Sequence, residues 1–412
     1  MGMDDPGEAN PLQGLLGDLL KMMGSAPGGT PWFDAAKSLA QSVATDNAPE
    51  PNVDPLARIK IEELARAAEL HEADATGLPV GSGEHPVTFT PVGRGAWALR
   101  TLDAWKPLLE GMVAAQGSAP PPALGALGLG DGEGAGGLGD ILGQFTATMG
   151  PVLLGMQFGS AAGHVAQRAL GQYALPIPWP PGDELLIVPQ NVEVFASDWS
   201  LPVDETELWV CVRELTTHAV LTRPHVAARI AELLRTSTAE AVAAQQGLTE
   251  RLSGPGADPE ALQHLLSDPE ALLADLLTPG QRHTSAQLQA VVTALGGYVD
   301  HVTATVAGTL TGSPAALREA WYRYRVADAK GEQAAGALFG IDLGREQVDR
   351  GAAFARGVVE RAGDEGLARL WGSARTLPTP SELDAPGLWL ERIDLPDDEP
   401  DPDGASGGTG PS

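Results

Sequence analysis

"WVCVRELTTHAV", residues 209–220, is the stretch on which the reading of this chain turns. It has the apolar content of a buried helix. It also carries the outline of a zinc-hydrolase helix with its residues displaced. Such a helix reads His-Glu-x-x-His, because a residue four places on returns to within about 40° of the first. Two imidazoles then share one cation, and the intervening Glu takes a proton from the bound water. Here Arg213 precedes Glu214, Thr217 stands four places after Arg213, and His218 follows one place late.

The helical wheel gives two readings. With Cys211 as origin, Leu208, Leu215, Ala219 and Thr222 cluster as a core face, and Glu214 and His218 border it. Glu214 and His218 are four apart, so they are expected either to form a hydrogen-bonded pair on a buried helix or to retain part of a catalytic site. Arg213 and Thr217 occupy the seats of a His pair. A guanidinium does not deprotonate and repels a dication, and Thr is a poor zinc ligand. Cys211, the single cysteine, excludes an internal disulfide and Cys-rich zinc sites and reads as a small core residue.

Composition narrows the function classes. Hydrophobic residues make up 43% and aromatics 5% of 412 residues, which favours Ala- and Leu-rich helices over sheets. A formal charge of −28 argues against nucleic acid and against an anionic membrane. The acidic N-terminus lacks a signal-peptide pattern, so the expectation is a cytoplasmic protein. Ile141 to Gln167 carries no charge, but its Gly, Pro and polar residues predict a buried helix pair and not a membrane span.

Outward from the central stretch, the chain divides by pattern. Residues 1–30 read as disordered or loosely helical, 31–116 as a helical N-terminal region and 117–139 as a Gly/Pro-rich linker. Residues 140–392 read as a helical domain and 396–412 as an acidic disordered tail. Within 31–116, Leu56, Ile59, Ile61, Leu64 and Ala68 form a helical stripe, and Val87-Thr-Phe-Thr reads as a short strand or extended lead-in. Leu185 to Val188 is the best strand candidate, followed by Val192-Glu-Val-Phe. Asp204 with Glu207, and Thr284 with Gln287, read as capping boxes opening helices. Short helices are expected near 238–253 and 258–275. The region 314–392 reads as helical, with breaks at Gly331, Gly340 and Pro378.

Five blocks, taken in order, carry a resemblance. They are LLIVPQNVEVF (185–195), Asp198-Trp199, LWVCVRELTTH (208–218), LQAVVTALGGYVDHV (288–302), and LREAWYRYR (317–325) followed by GALFGIDL (336–343). The series resembles the zincin-like metallopeptidase/hydrolase family found largely in actinobacteria, some members of which are labelled as associated with deazaflavin-cofactor biosynthesis. The resemblance spans roughly residues 140–392. It implies a mainly α, zincin-like fold with at most a small β element near 185–195, a zinc cofactor, and Glu214 as the catalytic base. The family's two His positions fall on Arg213 and Thr217, and its later acidic ligand falls on Gly296. In other branches the first His is already Arg. The remaining candidate metal ligands are His218, Asp300 and His301; Asp300 and His301 also read as solvated or capping residues. Gly296 and Gly297 predict close helix packing or a bend.

Three functions follow as expectations. The first is a metallopeptidase/hydrolase relative with a degenerate site and its zinc kept or lost. The second is a non-catalytic scaffold that binds a peptide or protein. The third is a rearranged hydrolase built on His218, Asp300 or His301, with His225 as a further candidate.

Overall fold

The computed structural model describes residues 30–80, 86–117, 135–237, 279–327 and 330–396. The acidic tail, most of the Gly/Pro-rich linker and the two short helices expected after 237 lie outside them. Helix α1 (Pro31–Ala44) and α2 (Pro55–Thr76) lead into strand β1 (Thr88–Pro91) and α3 (Arg94–Gly117). Then follow α4 (Ala135–Ala166), β2 (Glu184–Ile187), α5 (Pro189–Asp198) and α6 (Val203–Leu221). Residues 224–237 form α7. The C-terminal part contains α8 (Pro279–Leu310), α9 (Pro314–Val326), α10 (Lys330–Leu338) and α11 (Arg345–Ala368). Two short 3-10 turns precede α12 (Pro380–Leu383) and α13 (Pro386–Asp394).

The uncharged segment after the linker is one 32-residue helix, not a helix pair. Its apolar character serves close packing. Gly155, Gly159 and Gly163 recur every fourth residue and meet the backbones of Trp32, Ala36 and Ala40 on α1. A Cβ on Gly159 would lie 2.3 Å from the Ala36 carbonyl oxygen, so only glycine lets the two helices approach this closely. Among the described residues no helix is long and apolar enough to cross a membrane. The buried core runs continuously from Trp32 to Ile393 and includes α1 to α3.

The β element is smaller than the sequence pattern suggested. β1 pairs in parallel with β2, from Thr88 opposite Glu184 to Pro91 opposite Ile187. The Val192-Glu-Val-Phe stretch belongs to α5, because Pro189 at the first turn fixes φ for a helix. Gly171 bridges the other edge of β2, antiparallel to Ile187. The Val188 N–H donates to the Leu170 carbonyl over 2.9 Å, and Trp97 Nε1 donates to the Gly171 carbonyl over 2.8 Å. Asn191 Nδ2 donates to the carbonyls of Ala166 and Ala169, satisfying backbone groups left open where α4 ends. The segment 170–173 is thereby held beside β2, and the Tyr173 N–H ties it to α6.

Helix α6 is buried nearly all round from Thr206 to Leu221, and not on one face as the wheel suggested. It begins at Val203 with Pro202 before it and has no side-chain cap. Asp204 and Glu207 instead both bind Lys60 of α2, at 2.5 and 2.6 Å. Likewise α8 starts at Pro279, upstream of the Thr284 capping box expected. Its Leu288, Val291, Val292, Leu295, Val299, Val302 and Val306 stripe is buried as the spacing predicts. On α2 the buried face is Ile61, Ala65 and Ala68, while Leu56 and Ile59 are exposed. The predicted breaks hold at Gly340, with φ 69°, and at Pro378. Gly331 instead lies inside α10.

Candidate functional site

Glu214 lies in the middle of α6 and is buried. Its carboxylate rests on the Gly171 backbone, where an added Cβ would come within 2.4 Å of Cδ. The Tyr173 N–H donates to Glu214 Oε2 over 2.8 Å. Burial lifts this carboxyl to about 7, against the N–H groups of Tyr173 and Gln172 and the Arg213 charge. The Tyr173 hydroxyl meets His218 Nδ1 at 2.8 Å. Glu214 and His218 are thus joined through one residue of the neighbouring segment, and not by the direct pair that the i,i+4 spacing predicts. Burial holds the imidazole down to about 4, so His218 is neutral. Its Nε2 is enclosed without a hydrogen-bond partner among the described residues.

Arg213 leaves the opposite flank of α6. Its Nη1 donates to Asp300 Oδ1 over 2.9 Å, and its guanidinium lies 4.2 Å from the Trp321 ring centre. The same Asp300 accepts from Arg325 Nη1 at 2.6 Å and from Trp321 Nε1 at 3.1 Å. Burial lowers the Arg213 pKa, as does Arg325 nearby, while Asp300 opposes the change. The Thr217 hydroxyl donates back to the Arg213 carbonyl over 2.8 Å. A small pocket, partly open to solvent, lies between these groups, with Glu214, Arg213, Thr217 and Arg325 in its wall. Leu170, Val292, Leu295 and Val299 supply apolar wall.

The three residues expected as metal ligands are not brought together. His218 faces Tyr173, Asp300 sits between two arginines, and His301 Nε2 lies 2.6 Å from Asp364 Oδ1 on α11. Among the described residues no three His, Cys, Asp or Glu side chains converge as a metal site. The donor set beside Glu214 does not fit zinc, because a guanidinium stands in the first seat and a back-bonded hydroxyl in the second. His225 packs near Trp371 and does not line the pocket. Cys211 is a buried core residue, and burial pushes its thiol up. Gly297 meets the Gly351 backbone, which is the close packing its sequence predicts, and a Cβ added at Gly296 would lie 3.4 Å from Arg325 Nη2.

A family model described as zincin-like metallopeptidase matches residues 32–390. The chain belongs to the zincin-like metallopeptidase family. The match begins in α1 and so extends N-terminal of the blocks at residues 140–392 that carry the resemblance. A solved structure from Chloroflexus aurantiacus, described as a candidate hydrolase with a novel fold, superposes with a TM-score of 0.61 at 22% identity. The superposition covers 88% of this chain and 98% of that one, and at this identity the likeness is one of fold. No curated protein matches the chain.

Sequence reasoning missed Tyr173, Trp321 and Arg325. They lie outside α6: Tyr173 is 41 places from Glu214 and Trp321 is 21 places from Asp300, separations that no helical spacing singles out. The Arg325 to Asp300 pairing spans 25 places and that of Arg213 to Asp300 spans 87. The one available signal was LREAWYRYR, where an indole and two arginines recur within a turn of helix.

Proposed function

We propose that this chain is a zincin-fold protein with a degenerate metal site, and that its pocket binds a peptide or protein segment without zinc hydrolysis. One observation carries the reading: the Arg213 guanidinium occupies the first ligand seat and is bonded to Asp300. A guanidinium has no lone pair to offer a cation and repels one. Asp300, one of the candidate metal ligands, already accepts from two guanidiniums and an indole. Elemental analysis of protein purified without chelator or added metal tests this. The expected result is far less than one zinc per chain and a melting temperature unmoved by added zinc. One zinc per chain, lost in His218→Ala, would overturn the proposal and favour the rearranged hydrolase.

A second reading keeps catalysis, and a separate observation favours it. Glu214 is near half-ionised at pH 7 and lines a pocket beside two guanidiniums. A base of that pKa activates water efficiently, and the arginines would stabilise a developing oxyanion. Hydrolysis of a peptide library that survives metal chelation and disappears in Glu214→Gln would select this reading.

A further inference from the structure

The chain carries a formal charge of −28, yet the wall of this pocket holds three arginines, Arg168, Arg213 and Arg325, with the acid Glu214, and Asp300 pairs with Arg213 and Arg325 behind it. Arg168 is engaged with Tyr324: its Nη2 donates to the Tyr324 carbonyl and its guanidinium lies 4.1 Å from the ring centre. It contributes charge. Arg213 and Arg325 each give one N–H to Asp300 among the described residues. A guanidinium carries five N–H donors in a planar fork, so each keeps donors beyond that bond. The two side chains are only 14% and 18% exposed, and bulk water reaches them poorly. Trp321 packs against the Arg213 guanidinium and fixes its plane. Gly296 leaves space before Arg325 Nη2, the one atom outside its own helix backbone and chain neighbours that an added Cβ would meet within 4 Å among the described residues.

These forks already hold one carboxylate, that of Asp300, from both sides. The pocket they border also holds Glu214 and Thr217, and Val292, Leu295, Val299 and Leu343 give it an aliphatic side. We propose that Arg213 and Arg325 form a recognition site for the carboxylate of a ligand with an apolar body, such as a peptide C-terminus ending in an aliphatic residue. The proposal rests on the ligand-binding reading above and names the group that the pocket selects. Asp300 is the internal competitor: it holds the two guanidiniums apart from solvent until a second carboxylate engages their remaining donors. Bidentate guanidinium–carboxylate pairing makes the site selective for a planar anion over a neutral amide of the same shape.

The test is calorimetric titration of the full chain with N-acetylglycyl-leucine, its C-terminal amide, 4-methylpentanoate and inorganic phosphate. The acid is expected to bind at least about tenfold more tightly than the amide, the margin of a charge-assisted hydrogen bond. The dipeptide binding more tightly than 4-methylpentanoate would assign the site to peptide ends. Equal binding would assign it to small acids, and both outcomes uphold carboxylate recognition. Equal binding of acid and amide, binding of phosphate alone, or no binding of either acid overturns the proposal. Two variants separate recognition from fold maintenance. Arg325→Gln keeps the Arg213–Asp300 pair and should weaken the acid about tenfold, with the amide unchanged. Asp300→Asn removes the competitor and should tighten binding of the acid or, if it lowers the melting temperature, be restabilised by it. Loss of acid binding in both variants would mark Asp300 and Arg325 as structural only and overturn the proposal. Stoichiometric zinc with intact acid binding would instead defeat the metal-free reading alone.

Discussion

The Tyr173 N–H donates to Glu214 Oε2 across 2.8 Å, joining two residues 41 places apart in the chain. The same tyrosine meets His218 through its hydroxyl. One residue at the edge of a two-stranded sheet therefore positions both polar side chains that the central helix directs toward it.

Tyr173→Phe keeps the backbone donor to Glu214 and removes the hydroxyl at His218. His218 would then have neither ring nitrogen satisfied, since Nε2 already lacks a partner among the described residues. The expected loss is about 1–3 kcal/mol, the penalty of an unpaired buried polar group. Urea unfolding at pH 7.5 measures it, and a change under about 0.3 kcal/mol would contradict the argument.

Glu214→Gln should change how stability depends on pH. The carboxyl ionises near 4.5 when unfolded and near 7 when buried, so the folded chain binds the extra proton between those values. Its contribution to stability is fully present below pH 4.5 and declines as pH rises to about 7. The variant has no such decline, so its stability relative to wild type should rise between pH 5 and pH 8 by a few kcal/mol, on the order of 1–3. His218, held down to about 4, contributes the opposite slope in both proteins and cancels in the comparison. Denaturant melts at the two pH values give the answer; parallel pH profiles would show that Glu214 titrates normally.

Gly171→Ala places a methyl 2.4 Å from Glu214 Cδ. The carboxylate must move or the 170–173 segment must lift from α6. A loss of about 1–3 kcal/mol is expected, as for overpacking of a core. If the variant melts like wild type, Glu214 is not pressed against this backbone.

Gly159→Val tests whether the N-terminal helices are integral to the fold. The added side chain would meet the Ala36 carbonyl, since the Cβ alone comes within 2.3 Å. Separation of α1 from α4 should expose Trp32 and Phe33, both now buried. The expected readout is a single, lower unfolding transition with faster proteolysis at both ends of the chain. Two separate transitions would show that the regions fold independently.

Arg213→His, Thr217→His and Gly296→Glu, combined, should create zinc binding. They fill the three positions on which the sequence resemblance would place ligands, two of them four apart on α6. Arg325 still pairs with Asp300 in this variant, so no acid is left unpartnered. One zinc per chain by elemental analysis is the expected outcome. Its absence would mean that position 296 does not face the α6 pair closely enough.

Much of the helical plan was legible before the structure. The α8 stripe from Leu288 to Val306 is buried as its spacing demands, and Gly297 marks a close helix contact. Errors arose where local signals competed. Asp204 and Glu207 look like a capping box, but Lys60 from α2 takes both carboxylates, and α6 starts without a side-chain cap. Val192-Glu-Val-Phe has strand-like composition, yet Pro189 and the packing of Asn191 under α4 favour a helix. The wheel gave α6 one core face because a wheel assumes solvent on the other side, whereas this helix has neighbours all round.

The sequence by itself determined which groups are present beside Glu214: a guanidinium, a hydroxyl and a displaced imidazole, in seats set by the 3.6-residue turn. Their chemistry follows from residue type and needed no coordinates to state. Only the tertiary structure decided their partners. Asp300 reaches Arg213 from another helix and is held there by Arg325, and Tyr173 reaches Glu214 and His218 from beside the sheet. Such pairings depend on how whole helices pack, and packing responds to the summed burial of many side chains, which no local spacing encodes.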